Sequence, residues 1–181
     1  MLQIHYENDG RQQVFDLERD EATIGRAFAR SSRSDVKNAE LYRRGGSTPK
    51  KMYGALARDR TRVPWAHVHL FWGDERAVPP DHADSNYKMA HDALIAQVAV
   101  PPEHVHRIRG ELPAEEAARA YERELMGTFD LMLLGLGEDA HIASIFPGSA
   151  VLDERERLTA APWVAHLNAF RITLTPPALL D

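Results

Sequence analysis

Residues Pro113 to Gly148 read PAEEAARAYERELMGTFDLMLLGLGEDAHIASIFPG. The first half specifies a helix: strong helix formers, glutamates in the first turn, and Gly127 after the end. FDLMLL, Phe129 to Leu134, is a short apolar run followed by glycine, the pattern of a buried strand. Directly after it come Glu138, Asp139 and His141. A solvent loop has no need of that apolar approach, and a buried strand has no need of the charges. The combination predicts a strand that delivers polar side chains to a cleft.

The same alternation extends outward. HVHLFWGDER predicts a strand ending in charge, and HVHRI, from His104, another short strand. DSNYKMAHDALIAQV carries a helical stripe through Tyr87, Ala90, Leu94 and Val98, with Asp84 or Ser85 as its cap. GGSTPKKMYGALARD predicts a helix entered through Ser47, Thr48 and Pro49. FRITLTPPALL predicts a final strand broken by two prolines. Near the start, LQIHYE and QQVFDL read as two strands around an NDG turn. DEATIGRAFARSS reads as a helix with Asp20 as cap. VKNAELYRR reads as surface. Strands alternating with helices predict one α/β domain over 1–181, Rossmann-like, with a largely parallel central sheet flanked by helices. Ligands of such sheets sit outside the carboxyl ends of the strands.

Composition narrows the function. The chain has 181 residues, a formal net charge of -5 and no cysteine. Thiolate catalysis and thiolate-bound metals are excluded. The negative balance argues against nucleic acid as a partner. No apolar run approaches a membrane span, and the N-terminal residues lack the pattern of a signal peptide. Cytoplasm is therefore the expected address. The histidine pairs 67/69 and 104/106 have no third ligand at a suitable spacing, so no metal is expected.

Three stretches carry candidate chemistry. In RRGGSTPKK, glycines, hydroxyls and a helix start either make an anion site or simply cap a helix. Its spacing is not that of a nucleotide P-loop. In WGDER, strand alternation puts Asp74 and Arg76 on one face, to hold an oxyanion or to form an ion pair. In GEDAH, Asp139 stands two residues before His141. That spacing suits an acid–imidazole pair for proton transfer, or equally a cap beside an exposed histidine.

Taken in order, GGSTPKKMY, WGDERAVPPDHADSNYKMA, FDLMLLGLGEDAHIASIFPG and RITLTPPALL resemble the 6-phosphogluconolactonases, within a superfamily shared with the glucosamine-6-phosphate deaminases. The resemblance runs from about Gly45 onward. It implies hydrolysis of 6-phospho-D-glucono-1,5-lactone in the oxidative pentose phosphate route, with no cofactor. It assigns phosphate binding to Gly45, Gly46, Ser47, Thr48 and Arg171. It places Asp74 and Arg76 near the sugar, and gives acid–base work to His141 beside Asp139. The alternatives are a sugar-phosphate-binding fragment that does not turn over, or an isomerase or deaminase of the same superfamily.

The chain also departs from the family pattern. Ala140 stands where the family has glycine, and Ile142 where it has threonine. If position 140 requires a positive φ, its Cβ costs about 1 kcal/mol or more. Residues 1–44 are atypical, and the family's later strands and a phosphate-side lysine are expected beyond the residues present. That expectation leaves an apolar surface near Phe170, Ile172 and Leu174 and predicts self-association.

Overall fold

The computed structural model describes residues 3–8, 11–16, 47–58, 60–61, 63–125, 127, 129–137 and 139–180. β1 (Gln3–Asn8) and β2 (Arg11–Asp16) form an antiparallel pair in which Asn8 faces Arg11. The expected helix from Asp20 and the polar stretch after it lie outside the described residues.

α1 (Ser47–Arg58) buries Met52, Tyr53, Leu56 and Ala57, a spacing that gathers side chains on one helix face. It packs against α2 (Asn86–Ala93). α2 begins at Ser85, whose hydroxyl accepts from the Lys88 N–H at 3.1 Å. Of the two expected caps, serine is the one used. α3 (Ala114–Glu122) turns Ala117, Ala118 and Tyr121 inward and packs on the sheet.

The run HVHLFWGDER divides into two strands. β3 (Leu70–Phe71) pairs in parallel with β5 (Val105–His106). β4 (Asp74–Arg76) belongs to a second sheet, antiparallel to β8 (Ala169–Leu174). β8 also takes β6 (Thr159–Ala160) and β7 (Trp163–Val164) as antiparallel neighbours. At the crossing between the sheets, the Trp72 backbone finds a side chain instead of a strand. Its N–H donates to the Tyr121 hydroxyl at 2.7 Å, and that hydroxyl donates to the Trp72 carbonyl at 2.8 Å. Gly110 lets the chain after β5 pass close to the end of β4. A Cβ there would lie 2.2 Å from the Arg76 carbonyl oxygen.

The class is α/β. The parallel ladder among the described residues is the short β3–β5 pair, and the larger sheet is antiparallel. The apolar run at 129–134 buries Leu131 and Leu133 and leaves Met132 and Leu134 partly exposed, the alternation of a strand. It nevertheless forms no ladder among the described residues. Burial comes from the side chains, whereas a strand also needs a backbone partner. The two prolines do more than end β8: Pro176 opens α4 (Pro176–Leu180), where a missing N–H is not needed. The apolar surface expected near β8 is also corrected. Phe170 is 44% exposed, but Ile172 and Leu174 are fully buried, because β8 lies inside the sheet with partners on both sides.

Three histidines meet beside the parallel pair. His69 Nδ1 and His106 Nε2 lie 2.9 Å apart, His104 stacks on His69 at 3.8 Å, and Phe71 stacks on His106 at 4.3 Å. Burial, then the charges of His104 and His106, hold the His69 imidazole below its ordinary value. Burial does the same to His106, against the pull of the Glu124 carboxylate, which Arg109 also contacts. Folding favours the neutral rings, so their contribution is complete above the unfolded imidazole value of about 6.5 and is lost as pH falls below it. We expect the melting temperature to drop between about pH 7.5 and about pH 5.5. His69→Phe combined with His106→Gln should flatten that drop in calorimetry. An unchanged slope would assign the acid sensitivity to other groups.

Candidate active site

Three stretches distant in sequence build a cleft of about 630 Å³. From the sheet, β4 contributes Asp74 and Arg76, and β8 contributes Arg171. From the loop after the apolar run come Asp139, His141 and Ser144, with Phe146 and His166 on the wall.

Strand alternation separates the three charges of β4 as expected. Asp74 and Arg76 line the cleft, while the Glu75 side chain turns to the start of α2. Glu75 is 2% exposed and accepts from the backbone N–H groups of Asn86 and Tyr87, both at 2.7 Å. It also accepts from the Ser85 hydroxyl at 3.1 Å and the Arg76 N–H at 2.8 Å. Burial pushes its carboxyl up, while the three backbone donors pull the other way. Glu75 thus fixes β4 to α2 and aims its neighbours into the cleft.

Arg76 faces Arg171 directly across the β4–β8 ladder. Like charges in that position repel. Among the described residues neither guanidinium pairs with a carboxylate. Arg76 Nη1 donates to the Asp84 carbonyl, and Arg171 Nη1 to the Phe170 carbonyl at 3.2 Å. Burial, then the charge of Arg76, pulls Arg171 below its ordinary value. Two guanidiniums held together, with the Asp74 carboxylate in the same cleft but in direct ion pair with neither, make a place for an external anion.

Asp74 is buried, and burial raises its carboxyl above the ordinary range. Opposing that are the Ser144 hydroxyl, donating to Oδ2 at 2.6 Å, and the charges of Arg76 and Arg171. Asn86 Nδ2 donates to Oδ1 at 3.1 Å and to the Asp74 carbonyl at 2.8 Å.

His141 is buried against Phe146, with ring centroids 4.3 Å apart, and its Nδ1 bonds to Asp139 Oδ1. Desolvation works to raise the Asp139 carboxyl, but the hydrogen bonds and charge of His141 prevail and hold it below its ordinary range. A tight turn makes this pair possible. The Ala140 N–H donates to the Gly137 carbonyl at 2.9 Å, and the Gly137 N–H to the His141 carbonyl at 2.8 Å. Ala140 sits at φ 64°, in the left-handed region. A non-glycine residue there costs about 1–2 kcal/mol, and glycine loses back about 0.4–1 kcal/mol through its freer unfolded chain. Ala140→Gly should therefore stabilise the protein by about 0.5–1 kcal/mol in urea unfolding. A loss of stability would show that the Cβ packs usefully in spite of the strain.

Five of the nine residues singled out by sequence thus meet in one cleft: Asp74, Arg76, Asp139, His141 and Arg171. Gly45 and Gly46 lie outside the described residues, and Ser47 and Thr48 are described only as the first turn of α1. Sequence reasoning gave no role to Ser144, Asn86 or His166. The serine-to-proline stretch after His141 was a signal for Ser144, but its partner lies seventy positions earlier. No group of three or more His, Asp or Glu among the described residues is placed to hold a metal. No helix among them is long and apolar enough to cross a membrane.

The family model for glucosamine-6-phosphate isomerases/6-phosphogluconolactonase matches residues 20–181. A 6-phosphogluconolactonase of Nostoc sp. is 44% identical over 126 residues, which cover 63% of this chain and 51% of that protein. The chloroplastic 6-phosphogluconolactonase 3 of Arabidopsis thaliana is 33% identical over 96% of this chain and 60% of its own length. The chain thus spans about half the length of the curated relatives it matches. The crystal structure of the 6-phosphogluconolactonase from Thermotoga maritima superposes with a TM-score of 0.79 at 32% identity, covering 90% of this chain and 74% of that one.

Proposed function

We propose that this chain, which belongs to the family of glucosamine-6-phosphate isomerases and 6-phosphogluconolactonases, hydrolyses 6-phospho-D-glucono-1,5-lactone to 6-phosphogluconate. The observation that carries the reading is the His141–Asp139 pair, set in one cleft with two guanidiniums that lack carboxylate partners. With Nδ1 engaged by Asp139, Nε2 is the basic nitrogen left for the cleft. A water attacks the lactone carbonyl and gives its proton to Nε2. The tetrahedral oxyanion is stabilised by positive charge, with Arg76 as the candidate. Collapse breaks the bond to the ring oxygen, which takes the proton back from His141. Asp139 stabilises the imidazolium between the two transfers. The 6-phosphate falls to Arg171 and to the Gly45–Gly46–Ser47–Thr48 entry into α1. No cofactor takes part, and the reaction belongs to the oxidative pentose phosphate route in the cytoplasm.

Net hydrolysis releases one acid equivalent per turnover at neutral pH. A pH-stat with freshly generated lactone should record release above the spontaneous rate, and release at the spontaneous rate alone removes the enzyme reading. A second reading, binding without turnover, is favoured by the strained Ala140 beside the base. Titration calorimetry with 6-phosphogluconate separates the two. Self-association through the exposed Trp163 and Phe170, whose rings meet edge-on at 5.0 Å, is part of the same proposal. Light scattering over a concentration series tests it.

A further inference from the structure

Ser144 is as buried as the core, yet its side chain points at a carboxylate. The backbone around it is held in an unfavourable shape. Ala143, immediately before it, has φ 54°, a left-handed conformation that costs a non-glycine residue energy. The turn is closed by Ile142 and Ile145, whose backbones bond in both directions at 3.3 and 2.8 Å. The Ser144 N–H donates to Thr173 Oγ1 at 3.2 Å, and Thr173 is the residue facing Asp74 across the β4–β8 ladder. The strained turn is thereby pinned beside Asp74, where the Ser144 hydroxyl reaches Oδ2.

A carboxylate offers about four lone-pair sites. Ser144 occupies one on Oδ2 and Asn86 one on Oδ1. Asp74 also lines the cleft, so its unused sites are the acceptors available there to a ligand's hydroxyl groups. Such acceptance is strong only while the carboxylate is charged.

We propose that Ser144 is a positioning residue: its hydroxyl keeps the Asp74 carboxylate ionised and turned so that the free lone pairs accept ring or chain hydroxyls of a polyhydroxylated acid. The identity of that ligand rests on the function proposed above; the effect of Ser144 on Asp74 does not.

Two measurements separate these parts. The first follows the Asp74 side-chain carboxyl carbon by NMR through an acid titration, without ligand. Its midpoint should move to higher pH in Ser144→Ala, and by less in Ser144→Cys, which keeps a weak donor in nearly the same volume. An unmoved midpoint in Ser144→Ala overturns the proposal, whatever the protein binds. The second is the Kd for 6-phosphogluconate by calorimetry. Ser144→Ala should weaken binding about tenfold at a pH near the Asp74 midpoint found in the first measurement and much less at a pH well above it, because the lost hydrogen bond matters most where Asp74 becomes protonated. In an Asp74→Asn background the serine substitution should add nothing. Equal weakening at both pH values, or full additivity with Asp74→Asn, makes Ser144 merely structural and also overturns the proposal. Normal Asp74 behaviour in a protein that does not bind 6-phosphogluconate would remove the ligand assignment while leaving the Ser144–Asp74 link intact.

Discussion

Replacing His141 by alanine should lower kcat for lactone hydrolysis by about 10²–10⁴-fold, the usual contribution of a positioned proton-transfer group. The Kd for 6-phosphogluconate should stay within about threefold, because such a group acts mainly in the transition state. The geometry supports this split. His141 is buried against Phe146 and its Nδ1 is tied to Asp139, so it is built to present one nitrogen in one orientation. The charged groups suited to an anion, Arg76 and Arg171, lie on other strands and survive the substitution. Asp139→Asn provides a companion measurement. It should cost less than His141→Ala, because the base remains but its tautomer and orientation are no longer enforced. If His141→Ala keeps near-normal kcat, the proton goes elsewhere, and Asp74 is the next group to test.

The second large effect falls on stability. Glu75→Ala should destabilise the protein by about 3 kcal/mol or more, read as a lower urea midpoint at unchanged m value. The carboxylate accepts from three backbone N–H groups and one hydroxyl, and its side chain is almost wholly buried. Removing it strands donors at the start of α2 and beside Arg76, and each buried unpaired donor costs about 1–3 kcal/mol. Glu75→Gln keeps one acceptor oxygen and should recover roughly half of the loss. Since Glu75 lies between Asp74 and Arg76, activity should also fall in Glu75→Ala under conditions where the chain is still folded. A loss below about 1 kcal/mol would mean that water reaches the α2 terminus and that the carboxylate is not its anchor.

The local features of this protein were written in short stretches of its sequence. Period-two alternation placed Asp74 and Arg76 together and Glu75 opposite them, because successive side chains on a strand point to opposite faces. Helical spacing identified the stripe residues Ala90 and Leu94, both buried. The two-residue step from Asp139 to His141 was short enough for the acid to reach Nδ1 across one turn. Four ordered motifs carried the family.

Pairings over long separations were decided only by the tertiary structure. Nothing near Ser144 signals Asp74, and nothing near Arg76 signals that Arg171 will stand opposite it; the arginines meet because β8 runs antiparallel to β4, and Ser144 reaches Asp74 from a turn tied to Thr173 of β8. The same register buries Ile172 and Leu174. The apolar run at 129–134 shows the limit from the other side. Its residues specify burial, but a ladder requires a backbone neighbour that no sequence window contains. Hydrophobic period is a property of one segment, whereas register, strand order and a buried hydrogen bond belong to two segments at once.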